Sequence, residues 1–170
     1  MRDALGYAGK RVIVAGAASE VGLATVEILV ELGAEVHAIA DHRPEQPALA
    51  SFTDSDLGDP GRIESAFARI GSVVNAFFDC HATFDLDRLQ AITERVVPLM
   101  VDGAIAGVVS AAGAAWVREM AATLLATTPS VRVNGVLEGS GEAPYEVAWP
   151  LVFLNSTRAS GLTGAALPLR

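Results

Sequence analysis

An α/β fold, one doubly wound parallel sheet of about seven strands covered by helices, is predicted by three observations. Short β-branched runs alternate with longer segments of helical period along the chain. The first of those runs ends in a glycine-bearing turn that opens a helix. With 170 residues, 51% of them hydrophobic and 19% charged, and a mean hydropathy of +0.39, there is material for one buried core and not for two. Residues 1–170 are therefore read as a single domain.

The elements follow in order. Arg11 to Ala15 (RVIVA) reads as a first strand and Glu35 to Ala40 (EVHAIA) as a second. The helix between them places Val21, Ala24, Ile28 and Leu32 on one face at three- and four-residue spacing, and Gly33 is its left-handed cap. A third strand is expected around Leu49 to Thr53, then the turn-rich DSDLGDPG and a helix from Pro60 to Ile70, where proline suits the first helical position. Val73 to Asp79 is a buried fourth strand, followed by a helix from Asp85 to Met100. Ala104 to Ser110 is a fifth strand, Gly113 to Thr127 a helix rich in small residues, and Val131 to Leu137 a sixth strand. A helix from Pro144 to Leu154 and a short strand within Gly164 to Leu169 close the chain.

Charge and composition exclude several classes of function. Twenty acidic against twelve basic residues give a formal charge of −8, which repels a nucleic-acid backbone and an anionic membrane surface. The longest uncharged stretch, Gly103 to Val117, is too short and too glycine-rich for a spanning helix. The single cysteine, Cys80, forms no internal disulfide, and the basic N-terminus lacks an apolar segment behind it, so a cytoplasmic location is expected. Eleven of the twelve basic residues are arginine. The one lysine is Lys10, and the two tyrosines are Tyr7 and Tyr145.

The turn Val12 to Ala24 (VIVAGAASEVGLA) carries the first functional signal. Gly16 permits a tight turn, Gly22 permits close packing of helix on strand, and Ser19 is a natural N-cap that leaves backbone N–H groups facing an anion. Ligands of such a Rossmann-like sheet bind outside the carboxyl ends of the strands. Glu20 and Val21 complete the turn. Glu20 sets a carboxylate where the backbone should approach a phosphate, although a first-turn acid also favours its own helix dipole.

Over nearly its whole length the chain resembles the short-chain dehydrogenase/reductase family. The family's TGxxxGxG turn corresponds to Ala15, Gly16, Ala17, Ala18, Ser19, Glu20, Val21 and Gly22, with Glu20 at the middle glycine. By that resemblance Asp41, directly after the second strand, takes the adenosine ribose hydroxyls of NAD, and Asp56 and Leu57 lie beside the adenine. RVNGV (Arg132 to Val136) is similar to the family's sixth strand, and Glu146 to Leu169 to its closing helix, turn and strand. Arg43 invites a 2′-phosphate, but Asp41 before it repels one, so NAD is the expected dinucleotide if one binds, and no cofactor otherwise.

The resemblance breaks where the family performs chemistry. Its Tyr-x-x-x-Lys pair belongs on the helix after the fifth strand, where this chain reads AAGAAWVREMAATLL. Ser110 occupies the position of the family's serine, and the tetrad asparagine's place falls at Asp85. Members commonly run to about 250 residues. The deficit is expected after the fourth strand, after Ser110 and after the sixth strand, where the substrate lid shrinks to SGEAPY.

Three readings follow. The first is a degenerate, non-catalytic subunit, forming a homodimer or a hetero-oligomer with a full-length relative through the helices of Asp85 to Met100 and Gly113 to Thr127. The second is an NAD(H)-dependent oxidoreductase with a site rebuilt around Ser110, Asp79 and His81. The third is a nucleotide-sensing module that binds NAD through Gly16, Ser19, Gly22, Asp41 and Asp56 without chemistry. Among other constellations, Cys80 beside His81 suggests a nucleophile, although neighbours in an extended chain point opposite ways. One cysteine and one nearby histidine fall short of a zinc ligand set. His37 is read as a partnered strand residue and His42 as solvated or touching a ribose. Trp116 with Met120 are read as core or dimer packing.

Overall fold

The computed structural model describes residues 4–45, 48–55, 57, 60–71, 73–139 and 141–169. Seven strands, β1 (Arg11–Ala15), β2 (Glu35–Ala40), β3 (Ser51–Asp54), β4 (Val74–Asp79), β5 (Met100–Val109), β6 (Arg132–Leu137) and β7 (Ala166–Leu167), form one sheet in the order β3-β2-β1-β4-β5-β6-β7. Every pairing is parallel. The order reverses between β1 and β4, so a crevice opens there at the carboxyl ends of the strands.

Helices α1 (Glu20–Glu31) and α5 (Pro144–Asn155) cover one face of the sheet, and α2 (Pro60–Ile70), α3 (Leu86–Val96) and α4 (Ala111–Thr127) the other. Because strand side chains alternate, neighbouring residues enter different cores. Phe77 packs with Ile13, Ile92 and Ile105 on the α2–α4 side, while Phe78 packs with Val14, Leu29 and Leu151 on the α1 and α5 side. Both phenylalanines are fully buried. The runs are hydrophobic throughout because a parallel sheet is covered twice.

Several boundaries differ from expectation. On α1 the buried set includes Thr25, Val26 and Leu29, whereas Val21 and Leu32 are only half-buried. The apolar face is thus wider than the expected stripe, since α5 packs alongside α1 on the same side of the sheet. The helix after β4 stops at Val96 and continues as a single 3₁₀ turn over Val97–Leu99. Strand β5 then starts at Met100, with a register shift between Val74 and Ala76 and Asp102 at φ +53°. An irregular edge of this kind erases the period from which strands are read. Helix α4 starts at Ala111, directly after Ser110, which caps it. None of the described helices is long and apolar enough to cross a membrane.

Candidate functional site

The glycine turn folds as its residues dictate. Gly16 sits at φ +68°, and a Cβ there would stand 2.6 Å from the His81 nitrogen. A Cβ at Gly22 would stand 2.0 Å from the Gly16 carbonyl oxygen. Gly16 therefore lets the turn pack against the loop that follows β4, and Gly22 lets α1 pack against the turn. Ser19 is the N-cap: its Oγ accepts from the Gly22 N–H at 2.9 Å and donates to the Cys80 carbonyl at 2.5 Å. Glu20 and Val21 open the helix, so their N–H groups have no partner within it. The positive end of α1 is thereby presented to the crevice.

Two cavities flank this turn and share Ala18, Ser19, His81 and Ala82. The one toward β2, about 480 Å³, is lined also by Gly16, Asp41, Ser55 and Arg88. Asp41 is exposed and accepts from His42 Nδ1 at 2.7 Å. Ser55 is 4% exposed, yet its hydroxyl has no hydrogen-bond partner among the described residues. A buried hydroxyl without a partner is costly in an empty protein and satisfied by a polar ligand. Arg88, on the first turn of α3, donates to the Thr83 carbonyl at 2.7 Å and brings a cation to this side. Arg43 lies instead over the Phe52 ring, 5.8 Å from its centroid. Leu57 is fully buried with Ile39 and Ile63 rather than lining the cavity. Asp56 lies outside the described residues.

The second cavity, about 470 Å³, runs from the turn toward β6. His81 lines it and is held by a carboxylate outside the lining: Asp79 Oδ1 lies 2.5 Å from His81 Nδ1, with the Asp79 side chain 5% exposed and that of His81 20%. Asp79 ends β4 and faces Gly107 of β5, where a Cβ would come within 3.1 Å of the Asp79 Cβ. The chain thus clears room for this carboxylate. Its Oδ1 also accepts from the His81 backbone N–H at 3.3 Å. A neutral ring donating Nδ1–H to Asp79 keeps Nε2 as its acceptor, an arrangement suited to moving a proton.

The remaining expected residues separate from this pair. Ser110 is the N-cap of α4, accepting from the Gly113 N–H at 3.3 Å; it lines neither cavity and makes no hydrogen bond to Asp79 or His81. Cys80 is no nucleophile. It is buried, its thiol lies 3.6 Å from Thr25 Oγ1, and burial pushes its pKa up to about 12. Asp85 caps α3 by accepting from the Arg88 N–H at 3.0 Å. Neither tyrosine lines these cavities: the Tyr7 hydroxyl donates to the Val152 carbonyl at 2.7 Å, and the exposed Tyr145 donates to the Glu27 carboxylate. His37 is a partnered strand residue, with Nδ1 2.7 Å from Ser51 Oγ. A further cavity of about 620 Å³ lies at the opposite end of the strands, beside Lys10. Arg132 is occupied there, donating to the carbonyls that end α5.

No protein-family model and no curated protein matches the sequence. Solved structures do match. A short-chain dehydrogenase/reductase described as a glucose/ribitol dehydrogenase, from Brucella melitensis, superposes with a TM-score of 0.83 at 18% identity, over 96% of this chain and 95% of that one. The ligand-free aldohexose dehydrogenase of Thermoplasma acidophilum gives 0.81 at 18% identity, over 97% and 94%. A Brucella ovis oxidoreductase of the short-chain dehydrogenase/reductase family, solved with a partially ordered NAD, gives 0.76 at 20% identity, over 95% and 100%. The chain has the Rossmann-like fold of the short-chain dehydrogenases/reductases.

Proposed function

We propose that this chain belongs to the short-chain dehydrogenase/reductase family, binds NAD(H), and is an oxidoreductase whose proton-handling group is the Asp79–His81 pair. The observation that carries the reading is that pair, held at 2.5 Å at the carboxyl end of β4, with His81 on the wall shared by both cavities and Asp79 behind it. NAD supplies the hydride acceptor or donor. The residues present fit it. The free N–H groups of Glu20 and Val21 and the helix end behind Ser19 suit a pyrophosphate. Asp41 suits ribose hydroxyls, and the unpartnered Ser55 hydroxyl suits the adenosine half. Gly16 and Gly22 hold the turn close enough for that backbone approach. Leu57 packs in the core with Ile39 and Ile63, so the adenine-side contact that the resemblance assigns to it is not carried over, and Asp56 keeps that assignment from the resemblance alone.

His81 then exchanges a proton with the substrate through Nε2 while Asp79 fixes the ring. Placing a base in this way contributes on the order of 10² to 10⁴ in rate. Helix α4 carries neither tyrosine nor lysine, so the Tyr–Lys proton route of the family has no counterpart there. Calorimetry with NAD and NADH, followed by turnover assays with and without His81→Ala, tests the reading. Saturable binding and turnover lost in the variant are expected, and absence of binding would overturn it.

The non-catalytic subunit, as a homodimer or bound to a full-length relative, is favoured by a different observation. Helix α5 leaves Tyr145, Trp149 and Phe153 exposed by 48%, 47% and 40% at four-residue spacing, an aromatic face outside the core. The helices expected to pair offer less, because Trp116 is buried and Met120 packs against the core, leaving Leu125 as the large apolar side chain exposed on α4. Size exclusion finding only a monomer, with turnover present, would remove this second reading.

A further inference from the structure

We propose that the substrate held beside His81 is an amine, carried as an ammonium ion on an apolar body. This rests on the reading of that cavity as the substrate side of the site. Its walls are apolar: Val21, Val108, Leu137, Val147 and Leu169 line it together with the un-ionised Cys80 thiol. Its charged lining is of one sign. Glu20 enters from α1, Glu138 follows β6, and Glu142 lies in the loop before α5, while no lysine or arginine is among the described lining residues. None of the three carboxylates has a hydrogen-bond or ion-pair partner among the described residues.

The Glu142 carboxylate is folded back over Gly139, where a Cβ would meet its Oε1 at 2.0 Å, so the glycine leaves room for it in the cavity lining. Apolar walls whose charged groups are all unpaired carboxylates select a ligand with an apolar body and a positive head. An alcohol or ketone of the same shape gains the apolar contacts alone. A carboxylic acid is repelled.

Such a substrate also suits the imidazole. His81 Nε2 takes one proton from the ammonium nitrogen, and the α-carbon of the amine then gives its hydride to NAD⁺. The C–N single bond becomes an iminium C=N bond, with one NADH and one protonated imidazole formed. Atoms and charge balance, and the iminium keeps the positive head that the carboxylates hold.

The test titrates the full chain with 2-phenylethylamine and 2-phenylethanol by calorimetry, with and without NAD⁺, alongside an NADH titration. The amine is expected to bind at least tenfold more tightly than the alcohol. Glu138→Gln and Glu142→Gln are each expected to weaken the amine about five- to tenfold and to leave the alcohol unchanged, with unaltered thermal melting showing that both variants fold. Equal binding of amine and alcohol, or an amine affinity indifferent to both substitutions, overturns the proposal. NADH binding without an amine preference overturns this proposal alone. Amine preference without NADH binding overturns the oxidoreductase reading and leaves the ligand class standing. If the two substitutions weaken NAD⁺ and leave the amine untouched, the carboxylates serve the oxidised nicotinamide ring, which also overturns it.

Discussion

Asp79 grips His81 from two positions away along the same strand end, 2.5 Å from Oδ1 to Nδ1, across the space that Gly107 leaves open. Residues i and i+2 of an extended segment point to the same side, which is why Asp79 and His81 meet while Cys80 between them turns into the core. Asp79→Asn preserves the shape and removes the charge that fixes the ring. Turnover is expected to fall on the order of a hundredfold or more, with NADH affinity within about twofold of the original. An equal loss of affinity and turnover would show that the pair serves binding.

Glu20 is exposed at the first position of α1, on the wall of the cavity beside His81. Glu20→Gly removes a carboxylate from the approach to the free N–H groups and restores the glycine of the family's turn. NADH binding is expected to tighten about tenfold at low salt, an effect that shrinks as salt screens the charge. Unchanged affinity in calorimetry would show that the side chain stays in solvent, clear of the pyrophosphate.

Arg88 lines the cavity proposed for the adenosine half. Arg88→Ala is expected to weaken NADH about tenfold and to flatten the salt dependence of binding, and Arg88→Lys to restore part of both. Loss of thermal stability with unchanged affinity would assign Arg88 to holding Thr83 alone.

The buried thiol of Cys80, with its pKa pushed up to about 12, is expected to resist thiol reagents in the folded chain and to react fully in denaturant. Rapid labelling under native conditions at neutral pH would contradict the packing of this residue against Thr25.

The boundaries of β1, β2 and α2 were legible, because a short β-branched run or a proline start marks each. The Ser19 cap and the Gly33 stop at φ +82° were legible for the same local reason. Asp79 and His81 could be paired from the period of two. Ser110 could not be ruled out of their company from the sequence, since its N-cap contact with Gly113 competes locally with any role in the cavity. Ser55 and Arg88 carried no sequence signal: they meet only because α3 and the loop after β3 are brought to one crevice by the sheet order. The start of β5 was hidden by Asp102 and Gly103, which interrupt the apolar run where the pairing with β4 shifts register between Met100 and Ala104.

His37 offers a pH test of the fold that is independent of the site. It lies inside β2, 6% exposed, with Nδ1 2.7 Å from Ser51 Oγ and Nε2 3.2 Å from Glu35. Burial lowers its pKa, an effect that Glu35 offsets in part. The unfolded chain therefore takes up a proton near pH 6.5 that the folded chain still refuses. Stability from this residue is complete above that pH and is lost as pH falls from there to the folded value, with a slope of at most about 1.4 kcal/mol per pH unit. His37→Gln keeps a partner for Ser51 without the titration. Urea midpoints measured from pH 7.5 to 5 should decline less steeply for the variant than for the original chain. Identical slopes would mean that Glu35 compensates the burial in full.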